Sequence, residues 1–179
     1  MSVDAVREQV LDQACGHVVL TGGEPMLFSE LIPLCAALRE AAQHITIETA
    51  GTRYLPLTCD LMSISPKLSN STPSHQRAPR WRARHERTRH APDVIQQMVQ
   101  EYPYQFKFVV QDVGDCDEVE QYLRDFAEID PSRVMLMPEG TEADALAKAA
   151  KWLEPLCAAR NLKYCPRLHI ELFGLVRGT

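Results

Sequence analysis

The stretch "VVLTGGEPML", from Val18 to Leu27, decides how the rest of the chain is interpreted. A run of aliphatic and β-branched residues, typical of a buried strand, stops at Thr21 and gives way to two glycines, a carboxylate and a proline. Paired glycines leave the backbone open to close approach, Glu24 adds a negative charge, and Pro25 stiffens the turn. Such a turn suits a ligand ammonium group; a plain tight turn is the alternative interpretation at this point.

Five further apolar runs follow this one along the chain, and amphipathic segments of helical period separate most of the runs. This order predicts an α/β fold with a mostly parallel sheet. Only eleven residues, 50–60, separate the second and third runs, so we expect no full helix in that crossover. The predicted strands are His17–Thr21, His44–Thr49, Leu61–Ser65, Phe106–Val110, Val134–Met137 and Leu168–Phe173.

The chain is acidic overall, with a formal net charge of −5, but one stretch is strongly basic. Residues 75–90 hold six arginines and one glutamate, about +5, which leaves about −10 for the rest of the chain. Prolines flank this stretch, so we predict a long Arg-rich loop, residues 73–92, inserted into a single domain that spans residues 1–179. Nucleic-acid binding with Trp81 as a stacking residue is one interpretation of the loop. One aromatic among six arginines favours the other, a solvated or partner-facing loop.

Cysteine spacing and hydropathy limit the classes of protein to which the chain can belong. The six cysteines are scattered, and no two of them have the CxxC spacing of a zinc site, so we interpret them as reduced thiols. His85 and His90 have no cysteine or carboxylate pattern beside them that would favour a metal site. No apolar run is long enough to span a membrane and no signal-peptide pattern is visible, so we expect a cytoplasmic location and no membrane partner.

Candidate binding residues follow directly from the predicted strand ends, because parallel α/β folds bind ligands at that edge. Lys67, after Ser65 and Pro66, supplies a cation for a carboxylate; a solvated lysine is the alternative. A ligand with both an ammonium and a carboxylate group would satisfy this loop and the glycine turn together. Glu48 suits a sugar hydroxyl or the capping of a loop. Farther along, Asp115 and Glu118 have the spacing of a helix capping box.

Five segments, in order, resemble a known family: VVLTGGEP, IETAGT, SISPKLSN, YQFKFVVQD and the closing PRLHIELFG…RGT. TGGEP is similar to the GGEP motif of radical S-adenosylmethionine enzymes, and the ordered set resembles 7-carboxy-7-deazaguanine synthase within that superfamily. The resemblance implies a partial, compressed (β/α) barrel. It also implies conversion of 6-carboxy-5,6,7,8-tetrahydropterin to 7-carboxy-7-deazaguanine, with loss of ammonia, in the biosynthesis of queuosine and other 7-deazapurines. An electron donor such as flavodoxin is implied as a partner.

The resemblance further implies where the two small molecules bind. The glycine turn would face the methionine ammonium of S-adenosylmethionine, the loop after the third strand would line its site, and the residue after the fourth strand would lie near its nucleoside half. For the pterin, Thr21 and the C-terminal carboxylate of Thr179 would supply contacts. The implied cofactor-binding residues are Gly22, Gly23, Glu24, Pro25, Glu48, Ser65, Pro66, Lys67 and Gln111.

The chain departs from the family at the cluster site. The family binds a [4Fe–4S] cluster through a CxxxCxxC triplet, and a threonine behind it helps to hold Mg²⁺, but none of the six cysteines has this spacing. We therefore expect the first strand and the cluster loop to be missing before the helix at Val3–Ala14, through a misplaced start codon or truncation. These 179 residues alone are then expected not to cleave S-adenosylmethionine. The first strand's absence would leave His17–Thr21 as an open edge, which predicts self-association, for example as a homodimer, or low solubility.

Two other functions stay open at this stage. The chain could be a remnant without a cluster that only binds S-adenosylmethionine or another ligand. It could also be a different radical S-adenosylmethionine enzyme, such as a glycyl-radical activase, which shares GGEP. The SPKLSN segment and the closing RGT fit that second alternative poorly.

Overall fold

The computed structural model describes residues 1–74, 76 and 78–176. Helices and strands alternate along most of the chain, which confirms the predicted α/β class. The helices are α1 (Val3–Leu11), α2 (Leu31–Glu40), α3 (Pro79–Thr88), α4 (Pro92–Glu101), α5 (Val113–Asp125), α6 (Ala143–Ala159) and α7 (Leu168–Phe173). The strands are β1 (His17–Leu20), β2 (His44–Thr49), β3 (Leu61–Ile64), β4 (Tyr104–Val110), β5 (Val134–Pro138) and β6 (Lys163–Tyr164). None of the described helices is long and apolar enough to cross a membrane.

The chain divides into two compact units: Met1–Pro66 with Thr88–Gln105, and Lys67–Arg87 with Phe106–Thr179. In the first unit β1, β2 and β3 pair in parallel, with His17 opposite His44 and Thr46 opposite Leu61. Burial alternates along β2, because successive side chains of a strand point to opposite faces. The buried apolar side chains of this unit include Cys35, Leu38, Ile45, Ile47, Met62, Ile64, Ile95 and Met98.

The crossover between β2 and β3 contains no helix, as its length predicted. Tyr102, directly after α4, fastens this crossover instead. Its hydroxyl donates a hydrogen bond to the carbonyl of Leu55 at 3.1 Å and accepts one from the amide of Leu57 at 3.3 Å. Backbone groups that a helix would have paired internally are thus satisfied by a side chain.

In the second unit β4, β5 and β6 pair in parallel, with Phe106 opposite Val134 and Met135 opposite Lys163. An aromatic cluster packs α5 against β4. The ring centroids of Phe108 and Tyr122 lie 5.2 Å apart in an edge-on arrangement, and those of Tyr122 and Phe126 lie 4.7 Å apart. Aromatic pairs at such distances add to the stabilisation that burial alone provides.

The predicted sixth strand is wrong: Leu168–Phe173 is the helix α7. The place beside β5 is taken by the two residues of β6, and the amide of Cys165 continues that pairing by donating to the carbonyl of Leu136 at 2.9 Å. Pro166 has no amide hydrogen and ends the ladder. A run of six apolar and charged residues fits a short helix as well as a strand, so the sequence pattern could not separate the two.

The predicted loop at residues 73–92 is also wrong in part, because Pro79–Thr88 is the helix α3. Proline is favoured at the first position of a helix, and arginine and alanine are strong helix formers. The flanking prolines were the reason for expecting a loop, but Pro79 occupies the first position of the helix, where proline is compatible with helical structure.

Candidate functional site

The glycine turn after β1 is an open backbone surface. Gly22 has a φ of +156°, a conformation that side chains with a Cβ rarely adopt. A Cβ added at Gly22 or Gly23 would meet no atom within 4 Å. A cavity of about 280 Å³ lies along the turn, and Phe28, Leu31 and Leu34 form its apolar wall. The turn therefore lets a small ligand approach the main chain closely.

Glu24 holds the turn in place through its carboxylate. Its Oε1 accepts hydrogen bonds from the amide of Met26 at 3.1 Å and from the hydroxyl of Thr49 at 2.7 Å. Its Oε2 accepts one from the amide of Ala50 at 2.8 Å. With both carboxylate oxygens engaged inside the protein, Glu24 positions the turn.

Thr49, the last residue of β2, joins three segments. Its hydroxyl donates to Glu24 and accepts from the amide of Gly51 at 3.0 Å. Its carbonyl accepts from the amide of Ser65, after β3, at 2.7 Å. Thr49 is 3% exposed, so these bonds are shielded from water. The structure thus brings the TGGEP, AGT and Ser65–Pro66 segments together at one end of the first unit's sheet.

A second polar set lies across the strands of the same unit. The hydroxyl of Thr21 donates to Oε2 of Glu48 at 3.2 Å, and Glu48 lies opposite Ser63 in the pairing of β2 with β3. Nε2 of Gln105 donates to the hydroxyl of Ser63 at 3.0 Å. Thr21 and Glu48 were both expected as site residues, and their hydrogen bond shows that they face each other. Ser63 and Gln105 were not expected.

In the second unit, the end of β4 is clamped by α5. Oδ2 of Asp115 accepts from the amide of Gln111 at 2.7 Å and from Nδ2 of Asn70 at 2.6 Å. Oε1 of Glu118 accepts from the amide of Ser69 at 3.0 Å. The expected capping box is therefore wrong: Asp112 caps α5 by accepting from the amide of Asp115, and both acidic side chains instead hold residues 69–70.

The expected site residues are thus divided between the two units. The turn residues, Glu48, Ser65 and Pro66 belong to the first unit, whereas Lys67 and Gln111 belong to the second. Thr179 lies outside the described residues. Sequence reasoning missed Thr49, Asn70 and Asp115. Thr49 and Asn70 belong to the quoted IETAGT and SISPKLSN segments, so the signal that could have found them is a polar side chain within a conspicuous motif.

Metal ligands do not cluster in the part of the chain that the structure describes: no group of three histidine, cysteine, aspartate or glutamate residues could hold a metal ion there. Four of the six cysteines are buried. Burial raises the pKa of the Cys35 thiol to about 11, of Cys59 to about 12 and of Cys116 to about 11. Buried thiols with raised pKa values resist forming the thiolate that binds metals.

Comparisons with known proteins agree on one family. No family model matches the chain. The chain is 38% identical over 179 residues to 7-carboxy-7-deazaguanine synthase of Rhodopirellula baltica, covering 99% of this chain and 69% of the relative. It is 36% identical to the enzyme of the same name from Halobacterium salinarum, covering 97% of this chain and 72% of that one.

The fold has a counterpart among solved structures. The crystal structure of QueE from Escherichia coli matches with a TM-score of 0.63 and 22% identity, covering 93% of this chain. The match spans 64% of that structure's chain, slightly less than two thirds of its length. The structural match establishes the fold, and the sequence identities establish the family. The chain belongs to the 7-carboxy-7-deazaguanine synthase family.

Proposed function

We propose that this chain forms the S-adenosylmethionine- and pterin-binding part of a radical S-adenosylmethionine enzyme. That enzyme would convert 6-carboxy-5,6,7,8-tetrahydropterin to 7-carboxy-7-deazaguanine, as a carbon–nitrogen lyase of queuosine and 7-deazapurine biosynthesis. The observation that carries the proposal is the hydrogen bonding of Thr49, which joins the glycine turn, the AGT turn and Ser65. The glycine turn and Ser65 are among the first-unit positions that the family resemblance assigns to the cofactor.

In the proposed site each residue has a task that the family resemblance implies, and for Glu24, Thr21 and Glu48 the hydrogen bonds support it. The backbone carbonyls of Gly22 and Gly23 accept hydrogen bonds from the methionine ammonium, while Glu24 fixes the turn that presents them. Glu48 accepts from a ribose hydroxyl, and Thr21, which donates to Glu48, contacts the pterin. Lys67 pairs with the methionine carboxylate, and Gln111 lies near the nucleoside. Pro25, Ser65 and Pro66 shape the walls, and Thr179 binds the pterin through its carboxylate.

The residues of the chain do not fit a [4Fe–4S] cluster, because the sequence contains no CxxxCxxC triplet. Four further proposals rest on the family resemblance and the sequence: Mg²⁺ dependence of a cluster-bearing form, flavodoxin as electron donor, a homodimer, and a cytoplasmic location. A ligand-binding protein without redox activity is the second candidate function, favoured by the same missing cysteine triplet.

Replacing Gly23 with alanine tests the ammonium site. The methyl group would enter open space, so the free energy of unfolding should change by less than about 1 kcal/mol. S-adenosylmethionine binding, measured by isothermal titration calorimetry, should weaken about tenfold or more, because the ligand loses close approach to the backbone. Gly16→Ala is the matched control, since Gly16 precedes β1 at its other end and also has no atom within 4 Å. Wild-type affinity in Gly23→Ala, or no binding by the wild-type chain, would refute the proposed site.

A second test concerns cleavage of S-adenosylmethionine. The 179-residue chain, treated with iron, sulfide and a chemical reductant, should produce no 5′-deoxyadenosine above a protein-free control. The reason is the absence of three suitably spaced cysteines. The Rhodopirellula baltica relative, treated in parallel, is the positive control. Chromatographic detection of 5′-deoxyadenosine from the 179-residue chain would show that the interpretation of its cysteines is wrong.

A further inference from the structure

The helix α3 carries a basic face that the proposed function does not use. Arg80, Arg84 and Arg87 recur at spacings of four and three residues, so their side chains share one side of the helix. All three residues are exposed. They span about 10 Å of the helix axis at 1.5 Å per residue. The result is a compact positive patch on a chain whose net charge is −5.

The opposite side of α3 is anchored to residues 71–73. Nη1 of Arg82 donates to the carbonyl of Pro73 at 3.1 Å, and the hydroxyl of Thr72 donates to the carboxylate of Glu86. Nε2 of His85 lies 3.4 Å from the hydroxyl of Ser71. Because these contacts fix the rotation of the helix about its axis, the three-arginine face points away from the segment that anchors it.

Trp81 stands beside this face and is 62% exposed. The guanidinium of Arg84 lies 5.4 Å from the centroid of the Trp81 ring, a cation–π contact. The contact holds two long side chains together before any partner arrives, which lowers the entropy lost on binding. Tryptophan and arginine are the residue types most enriched at the energetic centres of protein interfaces.

The anchored segment also connects α3 to the candidate site in the second unit. Ser71 ends the 3₁₀ turn Ser69–Ser71, and Asn70 within that turn donates to Asp115, the residue that accepts from the amide of Gln111. A partner on α3 would therefore contact a helix that is linked by hydrogen bonds, through residues 70–73 and Asp115, to Gln111, an expected cofactor-binding residue.

We propose that the outward face of α3, formed by Arg80, Arg84, Arg87 and Trp81, is a docking surface for a protein partner with a carboxylate-rich patch. Guanidinium groups bind carboxylates in a bidentate manner, and residues 75–90 contain arginine but no lysine. A nucleic acid fits less well, for two reasons. A long polyanion would extend beyond the patch into the field of the remaining chain, at about −10. It would also find one aromatic residue for base stacking in residues 75–90.

The test measures binding of two labelled probes to the 179-residue chain by fluorescence anisotropy: an oligoglutamate peptide of about twenty residues, and an oligouridylate of equal length. We expect the peptide to bind at low salt and to lose about tenfold or more in affinity at roughly threefold higher salt, because exposed charges are screened. At low salt we expect an affinity for the peptide about tenfold or more weaker in the variant Arg80→Glu/Arg84→Glu/Arg87→Glu. The control variant is Arg7→Glu/Arg53→Glu/Arg133→Glu, which has the same net charge as the α3 variant. Its affinity for the peptide should stay within about twofold of the wild-type value.

Circular dichroism first establishes that both triple variants are folded. Three results would overturn the proposal: no peptide binding by the wild-type chain, equal losses in both triple variants, or unchanged binding in the α3 variant. Tighter binding of oligouridylate than of the peptide, dependent on the same three arginines, would also overturn it and identify a nucleic-acid surface instead. None of these readouts depends on S-adenosylmethionine, so this proposal and the proposed function can fail separately.

Discussion

Replacing Glu24 with alanine is expected to lower the free energy of unfolding by about 2–3 kcal/mol and to abolish S-adenosylmethionine binding. The carboxylate accepts three hydrogen bonds, from Met26, Thr49 and Ala50. Two of those partners, Met26 and Thr49, are buried, so their donors would be left without an acceptor. The turn would also lose its attachment to β2, and its carbonyls would lose their fixed direction. Urea denaturation gives the first quantity and calorimetric titration gives the second.

The control for this change is Glu30→Ala. Glu30 lies just beyond the same turn and is exposed, and among the described contacts its carboxylate accepts a hydrogen bond from its neighbour Ser29 alone. Its removal should alter the free energy of unfolding by no more than about 0.5 kcal/mol. The free energy of unfolding of Glu24→Gln should lie between the values of wild type and Glu24→Ala. The amide keeps one acceptor oxygen, but its NH₂ group replaces the other oxygen and would face a hydrogen-bond donor. If Glu24→Ala unfolds at the wild-type urea concentration, the carboxylate does not hold the turn.

Five of the six strands could be located from the sequence because each is a distinct apolar run, as "HITIET" at β2 illustrates. β6 could not be found this way. It is two residues long, and its position is fixed by pairing with Met135 and Leu136 rather than by any pattern of its own. α3 was missed for the opposite reason: its intrinsic helical propensity is high, but it has no apolar face to reveal it.

The candidate site was predictable where a motif has an unusual composition. The glycine turn, Glu48 and Ser65–Pro66 all lie at strand ends of the first unit, where parallel α/β folds bind ligands. The residues that position the motifs were less visible, because their partners are distant in sequence. Thr49 and Glu24 are 25 residues apart, and Asn70 and Asp115 are 45 apart. Nothing local in a sequence records such a pair.

Asp115 illustrates how a correct local pattern can have another use. Its spacing to Glu118 fits a capping box, but Asp112 provides the cap through a bond of 3.1 Å. Asp115 is 9% exposed, and its carboxylate accepts from Gln111 and Asn70 instead. The tertiary hydrogen bonds satisfy a nearly buried carboxylate. Leaving such a charge without partners would cost more free energy than one local capping bond contributes.

Replacing Gly51 with alanine should destabilise the first unit by about 3 kcal/mol or more. Gly51 has a φ of +70°, so any residue with a Cβ would be strained there. The added Cβ would also lie 2.4 Å from Cδ1 of Ile95 and 2.9 Å from Cγ2 of Ile64, both inside the core. The amide of Gly51 donates to the hydroxyl of Thr49, so S-adenosylmethionine binding should weaken as well. Urea denaturation and calorimetric titration measure the two effects.

A double-mutant cycle separates the clash with Ile95 from the other effects of the substitution. Ile95→Val removes the Cδ1 atom that the new Cβ would meet, and by itself should cost about 0.5–1.5 kcal/mol. In the Gly51→Ala/Ile95→Val variant the clash with Ile95 disappears, so the combined loss should be smaller than the sum of the two single losses by about 1 kcal/mol. Additive losses would show that packing against Ile95 is not what makes glycine necessary at this position, which leaves the strain at φ +70° and the contact with Ile64 as the causes. A Gly51→Ala variant as stable as wild type would contradict both explanations.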